Sequence, residues 1–261
     1  MKKPAAFSLF IGAFLAVSAA LPACTSHSHD PEPTGVGTVE LDFDNMAGST
    51  SLQLNSTTPY TTAAGDQLTV TALRYYISNI KLRKSDGTEY VQPESYYLID
   101  QERPASRKIS IPNVPAGKYT RLTFTLGVDA ARNVAGAQTG ALAPSDMFWD
   151  WSSGYIFTKL EGRSPQSPSG VLSYQIIGFS GPHNAVRTVS PALPTTGTTQ
   201  IAVDGDHAPK VHILADVLKV FAGPNTVRIA TTPSVLDGAD AVRVADNQAA
   251  GMFTIGHIHK H

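Results

Sequence analysis

Tyr119–Val128 is the cleanest alternating stretch of the chain: Leu122, Phe124, Leu126 and Val128 face one way, and Arg121, Thr123 and Thr125 face the other. A period of two puts successive side chains on opposite sides of an extended backbone, so this stretch buries its apolar half only as a strand. The same alternation sets Val39, Leu41 and Phe43 against Thr38, Glu40, Asp42 and Asp44. It also places Tyr76, Ile80 and Leu82 on one face of residues 74–83, ahead of an Asp86-Gly87 turn signal. Tyr155–Gly162 and Val171–Phe179 are rich in aromatic and branched residues and read as further strands. Val211–Phe221 fits a strand or a short helix, and Ala239–Ala249, preceded by Asp237-Gly238, is the best helix candidate. Many short strands with frequent Gly and Pro between them predict an all-β fold, an antiparallel β-sandwich with long loops and a short helix near the C-terminus. The phrase Asn113-Val-Pro-Ala-Gly-Lys-Tyr119, which leads into the cleanest strand, suits such a sandwich.

The N-terminus predicts an address. Lys2 and Lys3 precede an apolar run from Pro4 to Leu21 that approaches the length of a membrane span. The tetrapeptide Leu21-Pro22-Ala23-Cys24 then favours cleavage by lipoprotein signal peptidase over a retained anchor or an ordinary secretory signal. Residues 1–23 are therefore expected to be a lipoprotein signal peptide, with lipid on Cys24. That residue is the single cysteine of the 261, so no intramolecular disulfide can form, and acylation gives the lone thiol a use. Residues 24–37 are polar and rich in Pro and Gly, which predicts a flexible tether ahead of one folded domain at 38–261. The expected location is periplasmic or cell-surface, lipid-anchored at the outer membrane. A net charge of −1 with charges well mixed leaves no basic footprint for nucleic acid.

The chain shows no Gly-x-Ser-x-Gly elbow, no His-Glu-x-x-His, no phosphate-binding Gly loop and no cysteine free to act as nucleophile, so a non-enzymatic role is expected. Three constellations remain. Met147-Phe-Trp-Asp-Trp151 holds both tryptophans, and on residue chemistry alone Trp149 and Trp151 read as core anchors rather than ligand-contacting or redox-modified rings. At the other end, Gly256-His-Ile-His-Lys-His261 puts alternate imidazoles on one face of an extended segment. His257 and His259 then suit copper or zinc, or simply form a solvated tail. His27 and His29 in the tether would pay ordering entropy to hold a metal, and His183, His207 and His212 read as surface or satisfied residues.

Met147–Gly162, MFWDWSSGYIFTKLEG, resembles the signature of the MbnP family, exported proteins often encoded beside an MbnH-type dihaem peroxidase-like partner. LTVTALRYYISNIKL (Leu68–Leu82), LGVDAARN (Leu126–Asn133) and MFTIGHIHKH (Met252–His261) resemble further family segments in the same order. The resemblance implies copper handling, with a tryptophan oxidised to kynurenine by the dihaem partner and joined at the metal by histidine. Trp149 and Trp151 are the two residues that could fill that part. Many members carry a Tyr/Phe-His pair before a glycine, where this chain has Gln175 in Ser173–Gly178. That departure leaves open weak binding, recruitment of another imidazole such as His183, or loss of the metal. The single cysteine also separates the chain from relatives with a four-Cys motif. The rival expectation is a surface β-sandwich lipoprotein that binds a glycan or a protein without metal.

Overall fold

The computed structural model describes Met1 and residues 34–133, 138–143, 145–150, 152–205 and 207–260. The chain divides into an N-terminal unit, Met1–Glu32, and a folded unit, Pro33–His261, to which every element below belongs. Cys24, His27, His29, Trp151 and His261 lie outside the described residues. Among those described, no helix is long and apolar enough to cross a membrane.

The fold is all-β, two sheets packed face to face. The smaller sheet is built on β1 (Val36–Ala47), which starts inside the stretch expected as tether. The larger is built on β2 (Gln67–Lys84). β3 (Lys108–Pro115) pairs with β1, and β4 (Gly117–Leu126) pairs with β2. A small hairpin, β5 (Phe148–Asp150) and β6 (Gly154–Tyr155), leads into β7 (Thr158–Arg163) and β8 (Val171–Ile176), which continue the larger sheet. β9 (Lys210–Asp216), helix α1 (Gly238–Gly251) and β10 (Phe253–His259) complete the unit. The smaller sheet runs β10-β9-β1, with β3 and the short strand Thr50–Ser51 on the other edge of β1.

The sandwich is not wholly antiparallel. β1 and β9 run parallel, as do β8 and the short strand Ser234–Val235. Parallel neighbours need a long crossover, and most of the larger sheet lies between β1 and β9 in the chain. Val211–Phe221 is both of the things its pattern allowed. It is a strand to Asp216, then a 3-10 turn over Val217–Val220, with the Asp216 carboxylate accepting from the Leu218 amide at 3.0 Å. β8 stops at Ile176, before Phe179. Gly178 turns the chain at φ +109°, where an added Cβ would sit 2.6 Å from the His183 carbonyl oxygen.

Four buried rings join the sheets. Phe43 of β1 meets Tyr75 of β2 at 6.4 Å and Phe124 of β4 at 6.1 Å. Phe253 of β10 meets the same two rings at 5.7 and 5.3 Å. All four contacts are edge-to-face, the geometry in which a positive ring edge meets a negative ring face. This cluster fixes which way each strand turns its side chains, and so decides what lies on the two outer faces.

Candidate metal centre

On β9 the residues Val211, Ile213 and Ala215 are buried, so His212 is turned outward. On β10, Ile255 and Ile258 are buried while Gly256, His257 and His259 are exposed. A spacing of three between buried isoleucines breaks the two-residue period. The backbone absorbs it as a bulge: Ile213 pairs with Ile255, but His212 pairs with His257. The extra residue, Gly256, restores both inward contacts and brings His257 directly opposite His212. His259 falls opposite Lys210 on the same outer face.

The three imidazoles meet there. One ring nitrogen from each of His212, His257 and His259 lies within 4.8 Å of the others. The His212 and His257 rings stack at 4.2 Å with 19° between planes, and His259 stands edge-on at 5.3 Å from His212 and 4.5 Å from His257. His212 Nδ1 lies 3.4 Å from the Oδ2 of Asp44, which reaches diagonally from β1. The register continues the outer row through Asp42 on β1 to Lys108 on β3. In the next row Lys210 pairs with Glu40 at 3.2 Å.

Three imidazoles with no thiolate make a donor set for copper(II) or zinc. With metal–nitrogen bonds of about 2.0–2.1 Å in a tetrahedron, ligand nitrogens would sit about 3.4 Å apart. The 4.8 Å limit therefore asks for a closure of little more than one ångström. Exposed His257 and His259 can supply it by rotamer change, and the donor set fits the metal.

The other expected residues lie elsewhere. Tyr75 points into the core, so its neighbour Tyr76 faces out of the larger sheet and meets Tyr155 at 5.6 Å, which in turn meets Phe148 at 5.3 Å. The β5-β6 hairpin thus sits on the outer face of the larger sheet, while the histidines sit on the outer face of the smaller one. Two sheets and the core between them separate Trp149 from the imidazoles; one sheet-to-sheet spacing alone is about 10 Å. Trp149 is 45% exposed rather than a core anchor. The core position in that motif belongs to Met147, which is fully buried. His183 is exposed in the turn Gly181–His183 and outside the imidazole group. His207 pairs with Asp204 at 2.9 Å.

The hairpin is held firmly. The Asn133 side-chain oxygen accepts from the Tyr155 amide at 2.9 Å, and its Nδ2 donates to the carbonyls of Val128 and Asp129. The Asp150 carboxylate accepts from the Ser152 hydroxyl at 2.7 Å and from the amides of Ser153 and Ser152 at 2.6 and 2.8 Å, which closes the turn and lowers its pKa. Beside the hairpin, Asp146 bridges Arg74 at 2.6 Å and Lys159 at 3.2 Å. Burial opposes ionisation of Asp146, but these two cations outweigh it and hold its pKa below the ordinary carboxylate value. Gln175 lies on this same face, its amide donating to Glu161 at 3.0 Å.

A family model, MbnP, matches residues 36–237. The chain belongs to the MbnP family. A solved structure, MbnP from Methylosinus trichosporium, is 14% identical, with a TM-score of 0.52 over 85% of this chain and 98% of that one. At that identity the likeness is one of fold. No curated protein matches the chain. Of the three imidazoles, His212 lies within the segment that the MbnP model matches; α1 and β10, with His257 and His259, follow it.

Proposed function

We propose that this MbnP-family chain is an exported, lipid-anchored, non-catalytic copper-binding protein whose metal is held by His212, His257 and His259. The observation that carries this reading is the convergence of three imidazoles from two paired strands within 4.8 Å. Among borderline metals a nitrogen set without thiolate favours copper, which stands highest in the divalent affinity order. The outer face of the sheet leaves the metal within reach of a donor or acceptor protein, as copper cargo requires. The groove of about 760 Å³ beside Thr120, Arg121 and Ser190 has a single titratable side chain, Arg121, in its lining.

The address and the partner follow from other features. Leu21-Pro22-Ala23-Cys24 supports lipidation and residence at the outer membrane, in the periplasm or at the cell surface. Family membership supports a dihaem redox partner that converts Trp149 or Trp151 to kynurenine, and the exposure of Trp149 leaves its ring accessible. For Trp149 that chemistry would occur on the face opposite the imidazoles.

Isothermal titration with copper(II) tests the reading. One copper per chain is expected, lost in the His257→Ala/His259→Ala variant and in His212→Ala. No stoichiometric uptake, or uptake indifferent to these changes, would overturn it. The second reading, a glycan- or protein-binding sandwich, draws on the exposed Trp149 indole and predicts no such uptake.

A further inference from the structure

The three imidazoles are not equivalent. His212 is only 18% exposed and sits on β9, between β1 and β10, whereas His257 and His259 are exposed on the outermost strand of the sheet. Its Nδ1 faces a carboxylate, Asp44 Oδ2 at 3.4 Å.

Asp44 is itself well held. It lies between Phe43, fully buried in the aromatic cluster, and Asn45, which is 2% exposed and accepts from the Tyr75 hydroxyl at 2.7 Å while donating to Gln101 at 2.9 Å. Both neighbours point inward and pin the backbone of β1, so the Asp44 carboxylate must project outward beside β9. The parallel register puts Asp42 directly opposite His212 and Asp44 one pleat further along, opposite Leu214. From there the carboxylate meets the ring at Nδ1.

We infer that Asp44 is a positioning residue for the metal centre: it accepts the Nδ1–H of His212, so that His212 ligates through Nε2 as the fixed member on which His257 and His259 close. The inference rests on the metal reading above. A carboxylate on the far nitrogen sets the tautomer and ring orientation of a ligating histidine and makes it a better donor. It also removes one of the rotations that binding would otherwise have to freeze. His212 then needs little movement, and the two exposed rings make the adjustment that brings the nitrogens to bonding distance.

The test combines the metal-free and copper-loaded protein. In the metal-free protein, nitrogen-15 NMR of His212 at mildly alkaline pH should show the Nδ1–H tautomer, and Asp44→Asn should shift it towards a mixture. Copper affinity should fall about 10–100-fold in Asp44→Asn, with one site per chain retained and part of the loss restored by Asp44→Glu. Paramagnetic resonance should show the same nitrogen ligation in wild type and variant. Unchanged tautomer and affinity in Asp44→Asn would overturn the proposal, as would loss of an oxygen ligand, which would make Asp44 a direct ligand. Failure of the wild type to take up copper would instead defeat the metal reading, and the tautomer measurement would still decide the Asp44–His212 bond.

Discussion

His212 and His257 stack ring on ring across two paired strands, 4.2 Å between centroids and 19° between planes. Near-parallel rings keep their in-plane lone pairs in separate, near-parallel planes, so this pair cannot share one metal ion without turning. Metal–nitrogen bonds of about 2.0–2.1 Å require the lone pairs to converge. Loading must therefore open the stack.

The first prediction follows from which ring is free to turn. On titration with zinc(II), a diamagnetic stand-in for copper, NMR should show rotamer change at His257 and His259 and little at His212. The His212 ring is the less exposed and bears on Asp44. Larger movement at His212 than at the two exposed rings would count against this division.

A second prediction concerns Trp149. Because the hairpin and the imidazoles occupy opposite faces of the sandwich, Trp149→Phe should leave copper stoichiometry and affinity unchanged within about twofold, an effect under 0.5 kcal/mol. The His257→Ala/His259→Ala variant should in turn leave the mass of the peptide carrying Trp149 and Trp151 as it is in the wild type, made alongside its native neighbours. A tenfold loss of copper affinity in Trp149→Phe would show that the two faces are coupled.

The third prediction links two motifs that are far apart in the sequence. Gly154 holds φ at +76°, and an added Cβ would lie 2.1 Å from the Asn133 side-chain oxygen that receives the Tyr155 amide. Gly154→Ala should therefore cost about 1–3 kcal/mol from the backbone strain, together with the loss of the Asn133 bond. Thermal unfolding would measure this. Fluorescence of the two tryptophans would report loosening of the hairpin segment, while the copper site on the other face should be retained.

Much of the fold is legible in the sequence because burial enforces a period of two. The alternation in Val39–Phe43 and Leu122–Val128 shows directly which side chains face inward, and the structure keeps those faces. The parallel pairing of β1 with β9 is not legible, since nothing local ties strands that far apart in the chain. The same non-local step hid His212. Val-His-Ile marks an outward imidazole, but its partner across the sheet depends on the pairing and on the bulge at Gly256. The bulge itself does leave a trace, the three-residue step from Ile255 to Ile258 that no regular strand accommodates. For Trp149 the local pattern misled: the anchor in that motif is Met147, and the hairpin turns the indole outward.

The last prediction concerns acid. Asp129 is the hub of the loop that leads into Asn133. It accepts from the Tyr96 hydroxyl at 2.6 Å, from Asn79 at 3.0 Å and from the Arg132 amide. Burial alone would raise its pKa, but these hydrogen bonds outweigh burial and hold it below the ordinary carboxylate value. A carboxylate whose pKa is depressed on folding binds its proton more readily in the unfolded chain, so stability rises with pH through that interval. Its contribution is fully present above the unfolded value of about 4 and drains away as pH falls towards the lower folded one. Asp129→Asn should therefore be less stable than wild type at neutral pH, and the difference should shrink steadily below about pH 4. Urea unfolding across that range would measure it; a difference that stayed constant in acid would show that folding does not depress the Asp129 pKa, and one that widened would show that folding raises it.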